Sequence, residues 1–343
     1  MIVEGTVLRG PEFTPIEGRV VCEGGRIAAV EEATTESDRI VLPAFVNAHT
    51  HIGDSIAKEA GRGLTLEELV APPDGLKHRL LRRADREESV AAMRRTVEFM
   101  RSGGDDRVRG LPRGGGAEGV SALHEAASGL GIDALALGRD ELAALEAGDG
   151  YGASGAADAE FSRERAAARE AGKPFGIHAG ENRTDDIEPA LDLEPDFLVH
   201  MVNAGPDHLD RVEREGIPVV VCPRANLVTG VGLPPIEELA DRTRVALGTD
   251  NVMLNGPSMF REMEFAAKLT DLSADRVLRM ATRAGAELAG LDCGVIEEGR
   301  EARLLVLDGD SDNLSGVRDP VRATVRRAGV ADVVEVIHPS QNS

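Results

Sequence analysis

Short apolar runs alternate with amphipathic stretches through the middle of the chain. The strand-like runs are 44–51, 132–138, 174–180, 196–202, 217–223 and 244–250. Helical spacing of apolar residues recurs in 86–103, 159–172, 208–216, 235–242 and 273–290. Repeated strand–helix units predict parallel strands, arranged either as a closed barrel or as an open doubly wound sheet. No GxGxxG or GxxxxGK[ST] motif follows a strand, which disfavours the nucleotide-binding open sheets.

Both ends of the chain show a different pattern. Residues 1–42, 299–308 and 323–337 alternate apolar and polar positions, as half-buried strands do. We therefore expect one small composite β-sandwich domain, formed by residues 1–42 and 296–343. The strand–helix units of residues 43–295 form the second predicted domain.

Composition narrows the class of protein. The net charge of -21 argues against nucleic acid or an anionic membrane surface as a partner. Only four of the 39 basic residues are lysines, and abundant acidic residues with scarce lysine are typical of halophilic proteins. The three cysteines are far apart, and neither a long apolar run nor a signal-peptide pattern occurs. A reduced, cytoplasmic protein without membrane contacts is the expectation.

Histidines and acidic residues follow four of the predicted strands. His49 and His51 alternate on one strand, so both imidazoles face the same side. His178 lies in the sequence HAGE, His200 in LVH and Asp250 in LGTDN, each where a strand ends. Imidazoles and one carboxylate are the ligands that zinc or iron(II) takes in proteins. The ordered set is far less expected by chance than any one member.

The order of these motifs resembles that of the amidohydrolase superfamily, in its cytosine deaminase and triazine hydrolase branch. The motifs are LPAFVNAHTH, HAGE, LVH and LGTDN. HAGE is also similar to the corresponding motif of adenosine deaminases. Further matching phrases are CPRANLVTGVGLPPI, ATRAGAELAGL and GVIEEGREARLLVLD, so the resemblance covers nearly the whole chain outside 105–115. It implies an α/β fold in which residues 43–295 form a (β/α)8 TIM barrel.

The resemblance also implies a set of roles. His49, His51, His178 and Asp250 would hold one divalent ion, zinc in first place and iron(II) in second. Asp250 would also accept a proton from the attacking water, and Glu181 would pass protons to the substrate ring and the leaving group. His200 would stabilise the oxyanion, as in mononuclear members. A second metal needs a bridging lysine or glutamate near 148–155, which is absent there, and the nearby Lys173 is better placed as a helix-end cation.

The resulting functional prediction is a metal-dependent hydrolase of non-peptide C–N bonds. Deamination of a purine, pyrimidine or related heterocycle is the first hypothesis, because HAGE supplies the acid that aromatic deamination requires. Hydrolysis of a cyclic amide, an imidazolone or another C–N or C–halogen bond is the alternative. A third hypothesis is an inactive relative, either kept as a binding or structural protein or damaged at 105–115. The expected partner is a small heterocyclic substrate, and a homodimer is a family-level expectation.

Residues 105–115 interrupt the pattern. The second barrel strand is expected here, yet the segment is charged and rich in glycine and predicts a loop. Relatives typically have a Gly-Thr-Thr strand followed by an Asp-Phe-Arg-Glu-Gly-Gly turn. GC-rich codons for these residues, shifted by one base, encode Thr-Thr-Ala-Phe-Ala-Asp-Phe-Arg-Glu-Gly. We therefore hypothesise a compensated frameshift, either a sequencing error or a damaged gene; if it is real in the protein, one barrel strand is compromised.

Several polar residues near the motifs carry weaker predictions. Asp54 and Lys58 follow the first strand's histidines; a helix cap and a surface charge are favoured for them over a place facing the pocket. His78 and His124 are expected to be solvated on amphipathic helices. Arg224 and Asn226 follow a strand at the catalytic rim, where a loop-fixing role and a substrate contact are about equally favoured.

Overall fold

The computed structural model describes residues 1–70, 74–110 and 115–339. Residues 111–114, part of the segment flagged above, lie outside this range. In the described chain the strands are β1 (Ile2–Arg9), β2 (Thr14–Glu23), β3 (Arg26–Glu32), β4 (Arg39–Pro43), β5 (Phe45–His51), β6 (Asp105–Gly110), β7 (Asp133–Gly138), β8 (Gly150–Ala153), β9 (Phe175–Ala179), β10 (Phe197–His200), β11 (Val219–Val221), β12 (Val245–Leu247), β13 (Asp250–Asn251), β14 (Leu304–Asp308) and β15 (Val333–Ile337).

The helices lie mainly between the strands. They are α1 (Leu66–Val70), α2 (Leu76–Arg83), α3 (Arg86–Ser102), α4 (Ala117–Ala127), α5 (Leu142–Ala147), α6 (Ser162–Glu170), α7 (Ile187–Asp192), α8 (Pro206–Glu215), α9 (Pro223–Thr229), α10 (Ile236–Arg242), α11 (Met259–Leu269), α12 (Ala274–Ala281), α13 (Arg283–Leu288) and α14 (Pro320–Arg326). Ile52–Ala57 and Val330–Asp332 are short 3-10 helices. None of the described helices combines the length and apolar composition needed to cross a membrane.

Nine strands form one sheet in the order β12-β11-β10-β9-β8-β7-β6-β5-β13. Every pairing in this sheet is parallel, as the strand–helix alternation predicts. Gly248 and Thr249 alone separate β12 from β13, so the two edges of the sheet belong to consecutive stretches of chain. A side chain at Gly248 would lie 2.8 Å from the Cβ of His49, and the glycine therefore permits the close approach to β5.

Both ends of the chain meet in a second sheet with the order β15-β14-β4-β1-β2-β3. Strand β14 pairs antiparallel with β4 on one side and β15 on the other, which ties residues near 305 to residues near 40. An apolar cluster that includes Val3, Val20, Val306 and Ile337 lies within this sheet. Alternating strand patterns at both ends thus do form one shared sheet.

Two secondary-structure elements differ from the prediction. The stretch 273–290 forms two helices, α12 and α13, because the backbone at Thr282 leaves the helical region (φ -126°, ψ -91°). The stretch 323–337 is not a continuous strand, because α14 occupies its first part. Asp319 accepts a hydrogen bond from the backbone N–H of Arg322 and Pro320 occupies the first helical turn, so local capping outweighs the alternating pattern.

The prediction of a loop at the start of 105–115 is wrong. Strand β6 lies between β5 and β7 and pairs in parallel with both, although its register with β5 is irregular. Backbone hydrogen bonds to two neighbours define the strand whatever the side chains are, and the side chains of Asp105 and Asp106 are buried with it. Asp105 is fully buried and neither carboxylate oxygen has a hydrogen-bond partner, whereas Asp106 pairs with the buried Arg303 at 2.6 Å.

Candidate metal and catalytic centre

Six side chains singled out from the sequence lie where parallel strands end. They are His49 and His51 on β5, His178 on β9 with Glu181 just beyond it, His200 as the last residue of β10, and Asp250 on β13. Because the carboxyl ends of parallel strands meet at one edge of the sheet, residues 200 positions apart share one site.

The donor atoms of four of these residues converge. His49 Nε2 lies 3.2 Å from His51 Nε2 and 3.3 Å from His178 Nε2. Asp250 Oδ1 lies 3.4 Å from His49 Nε2 and 3.2 Å from His51 Nε2. Two sets of donors each fall within 4.8 Å of one another, His49 with His51 and His178, and His49 with His200 and Asp250. His49 belongs to both sets and is the centre of the cluster.

One hydrogen bond fixes the orientation of His178. Its Nδ1 lies 2.8 Å from the carbonyl oxygen of Ala153, on the neighbouring strand β8. A carbonyl only accepts, so Nδ1 carries the proton and the lone pair of Nε2 faces His49. This is the tautomer that a metal-binding histidine adopts.

The electrostatics favour neutral imidazoles. Burial lowers the pKa of His49, lowers that of His178 well below its ordinary value, and with the charge of Lys77 lowers the pKa of His51 to about 4. Burial opposes ionisation of Asp250, but hydrogen bonds from His49 and His51 outweigh it and hold its pKa well below the usual range. Three neutral imidazoles and one carboxylate are the protonation states in which these groups bind a divalent ion.

His200 and Glu181 form a second pair beside the cluster. Asn226 Nδ2 lies 3.1 Å from His200 Nδ1 and donates to it, so His200 carries its proton on Nε2. That nitrogen lies 3.6 Å from Glu181 Oε2. Burial raises the pKa of Glu181, so this carboxyl keeps its proton to a higher pH than an exposed glutamate. Asn226 therefore acts through His200. The sequence had left open whether Asn226 fixes a loop or contacts the substrate.

The backbone is strained at the same place. His200 (φ 80°), Met201 (φ 56°) and Asp250 (φ 55°) adopt left-handed conformations that cost a non-glycine residue roughly 1–3 kcal/mol each. The surrounding sheet and helices impose these conformations, which direct His200 and Asp250 toward the cluster.

Sequence patterns missed a buried ion pair next to His51. Lys77 Nζ lies 2.8 Å from Asp54 Oδ2 and 3.5 Å from His51 Nδ1, and both charged side chains are buried. Asp54 is thus not a solvated helix cap, and His78 also lines the pocket instead of being fully solvated. The scarcity of lysine is the one signal in the sequence that singles out Lys77.

Arg224 holds the loop that follows Asp250. Its guanidinium nitrogens lie 3.2 Å from the carbonyl oxygen of Gly256 and 3.2 Å from Asn255 Oδ1, and 3.3 Å from Glu262 Oε1. Burial raises the pKa of Glu262 to about 8 against the opposing charge of Arg224. Of the two roles predicted for Arg224, the loop-fixing one is confirmed.

The cluster opens into a cavity of about 290 Å³. Its inner wall includes His51, His178, Glu181, His200 and Asp250. A larger cavity of about 820 Å³ near Phe13 and Pro320 contains none of these groups. The smaller cavity is therefore the candidate substrate pocket, since polar donors and perturbed titratable groups converge there.

Comparisons with known proteins agree with this arrangement. The sequence profile of the amidohydrolase family matches residues 40–337. A provisionally named aminohydrolase of Methanothermobacter thermautotrophicus is 36% identical, over 98% of this chain and 97% of its own length. A 5-methylthioadenosine/S-adenosylhomocysteine deaminase of Halobacterium salinarum is 29% identical, over 98% of this chain and 90% of its own.

Solved structures share the fold. A triazine hydrolase variant superposes with a TM-score of 0.85 at 19% identity, over 99% of this chain and 93% of its own. A zinc-bound adenosine deaminase from Xanthomonas campestris superposes with a TM-score of 0.81 at 20% identity, over 98% of this chain and 91% of its own.

Proposed function

Since the chain belongs to the amidohydrolase family and is a hydrolase of C–N bonds, we propose that it removes an amino group from a purine, pyrimidine or related heterocycle. One observation carries the proposal. Donor atoms of three histidines and Asp250 converge at the base of a pocket that also holds Glu181 and His200. A general acid beside a metal-ligand set is the combination that deamination of an aromatic ring requires.

We propose that His49, His51, His178 and Asp250 hold one divalent ion, zinc in first place and iron(II) in second. The residues fit the ion because the imidazoles are neutral and Nδ1 of His178 is already committed to a carbonyl oxygen. When bound, the ion supplies a Lewis acid that lowers the pKa of a coordinated water toward neutrality.

A single ion also agrees with the surroundings. Strand β8, Gly150–Ala153, carries no lysine or glutamate to bridge a second metal. Lys173 donates instead to the carbonyl oxygens of Leu145, Glu146 and Gly148 at 2.7–3.0 Å, which makes it the helix-end cation expected from the sequence.

Three side chains near the ion have separate roles in proton transfer and charge stabilisation. Asp250, held ionised, accepts a proton from the attacking water. Glu181, whose pKa burial raises, donates its proton to the ring nitrogen. It then takes the hydroxyl proton of the tetrahedral intermediate and passes it to the amino group, which leaves as ammonia, and the proton held by Asp250 returns to Glu181. His200 presents its Nε2–H to the oxygen that becomes negative, because Asn226 occupies Nδ1.

We further propose that the nine-stranded sheet closes into a (β/α)8 barrel over residues 43–295. The support is that β12 pairs with β11 while β13, two residues later, pairs with β5 at the opposite edge. The terminal sheet would then be the composite β-sandwich domain of residues 1–42 and 296–343.

The test is ammonia release by metal-loaded protein in high salt, screened over nucleobases, nucleosides and pterins. We expect release from at least one class, and we expect Glu181→Gln to reduce it by about 10²–10⁴-fold while metal content stays the same. Glu188→Gln, a change at an exposed glutamate on α7, is the matched control. Hydrolysis of cyclic amides without ammonia would support the alternative chemistry, and no turnover by the metal-loaded protein would contradict the proposal.

A further inference from the structure

One wall of the candidate pocket gathers cations in a chain whose net charge is -21. Lys77, His78 and Arg139 all line it. The first two come from helix α2, and Arg139 comes directly after strand β7. Residues at that position of a parallel strand lie at the catalytic rim of such folds. None of the three belongs to the ligand set or to the groups that move protons.

Lys77 is a fixed charge at the inner end of this wall. Its side chain is 8% exposed and is held by Asp54 at 2.8 Å, with His51 Nδ1 at 3.5 Å. Because the pair is buried, the ammonium position is set by the fold and salt screens it little. The ammonium adds positive potential beside the metal-ligand cluster.

Arg139 is the outer charge. Its side chain is 16% exposed, and Nε lies 3.2 Å from Oδ1 of its neighbour Asp140, whose side chain is 57% exposed. The backbone N–H of Arg139 donates to the carbonyl oxygen of Gly115 at 2.6 Å, which fixes the start of the side chain. Among the described residues, that one carboxylate is the ion-pair partner of Arg139, so its two terminal nitrogens remain available to a ligand.

His78 also lines the pocket. Burial, and then the positive charges of Lys77 and Arg139, lower its pKa. His78 is therefore less readily charged than an exposed histidine, and Lys77 and Arg139 are the lysine and arginine of the lining. Leu254 and Val70 supply apolar lining, and the exposed Asp158 is the one acidic side chain in the lining beyond Glu181 and Asp250.

We propose that the substrate heterocycle carries an oxyanion, a carboxylate or a phosphate, on the side away from the amino group that leaves, and that Arg139 binds this group in the field of Lys77. The inference rests on the proposed deamination and names its substrate class. Two guanidinium nitrogens match two oxygens of a carboxylate or phosphate, which gives position as well as attraction. The anion would anchor the outer end of the substrate while Glu181 and His200 act on the inner end.

Matched pairs of compounds test this inference on the metal-loaded protein. One pair is pterin and pterin-6-carboxylate, and the other is adenosine and adenosine 5′-monophosphate. Turnover is followed by ammonia release. Binding of the pterin pair is followed separately by pterin fluorescence, which the protein does not obscure because the chain has no tryptophan and one tyrosine.

We expect the charged member of at least one pair to bind at least tenfold more tightly. Arg139→Gln should reduce that preference to about threefold or less, through KM and not kcat, and Arg139→Lys should restore part of it. Arg214→Gln, at an arginine 67% exposed on α8, removes the same charge away from the pocket and should change nothing. Comparing the preferences for pterin-6-carboxylate and adenosine 5′-monophosphate over their uncharged partners shows whether the site takes a carboxylate or a phosphate.

The two proposals fail in different ways. Tighter, Arg139-dependent binding of a charged probe without ammonia release would refute deamination of these probes but support the oxyanion site. Equal binding of both members, no binding of either charged probe, or an equal loss for both members in Arg139→Gln would overturn the inference whatever the turnover.

Discussion

Among the described residues Asp105 is a buried carboxyl group without a hydrogen-bond partner, and its replacement by threonine is expected to stabilise the protein. Both carboxylate oxygens lie in the interior beside β5, where Phe45 is the partner in the strand ladder. An unsatisfied buried polar group costs about 1–3 kcal/mol. Asp105→Thr removes one of the two oxygens and nearly preserves the volume, so the free energy of unfolding should rise by about 1–3 kcal/mol.

The neighbouring position provides a control of opposite sign. Asp106 Oδ2 lies 2.6 Å from Nη1 of Arg303, and both side chains are buried. Removal of one partner from a buried ion pair costs about 3–5 kcal/mol. Arg303 keeps Glu301 at 2.6 Å and Asp133 at 2.9 Å, so Asp106→Thr should destabilise the protein by about 3 kcal/mol, the lower end of that range.

The pH dependence separates this explanation from a general packing effect. Burial, and then the charge of Asp106, raise the pKa of Asp105 well above its ordinary value of 3.8. The folded state therefore keeps the proton that the unfolded chain loses near pH 3.8, so the cost of burying this group is smallest at low pH. The free energy of unfolding falls as the pH rises from about 3.8 to the folded pKa, by up to about 1.4 kcal/mol per pH unit. Asp105→Thr should remove that slope.

Urea unfolding in high salt, at fixed metal concentration and at several pH values, measures both quantities. A higher midpoint at an unchanged m-value reports stability alone. An unchanged or lower midpoint for Asp105→Thr would refute the account of this strand. Threonine is also the residue that the shifted reading frame encodes here, and sequencing of the gene tests the frameshift itself: other codons at 105–115 would exclude it.

Three further expectations concern the site. Asn226→Leu removes the donor to His200 Nδ1, so kcat should fall about 10–100-fold at unchanged metal content, measured by ammonia release with metal analysis. Gly248→Ala places a methyl group 2.8 Å from the Cβ of His49 and should cost about 1–3 kcal/mol in unfolding and weaken metal binding; unaltered zinc affinity would contradict the packing argument. Chelation of the ion should lower the unfolding free energy by about 4 kcal/mol if the free ion had been at about 1,000 times its Kd, and an unchanged melting curve would show that the ion does not bind the folded state.

The sequence predicted the site well where a histidine or aspartate lies at the end of an apolar strand. His49, His51, His178, His200 and Asp250 each follow or end such a strand, so parallel topology alone predicts that they meet. Lys77 could not be predicted to join them, because it comes from a helix beyond a long connection and only the folded loop brings it to Asp54. Strand β6 was missed for another reason: its backbone pairing is dictated by two neighbours and not by its own side chains.

Metal stoichiometry of the purified protein tests the central claim most directly. The account predicts one zinc or iron(II) per chain, lost in His178→Ala and in Asp250→Asn, together with the hydrolytic activity. His124→Ala, at an exposed histidine on α4, should keep both. Folded protein without a divalent ion, or a His178→Ala variant that keeps its metal, would contradict the assignment of the centre.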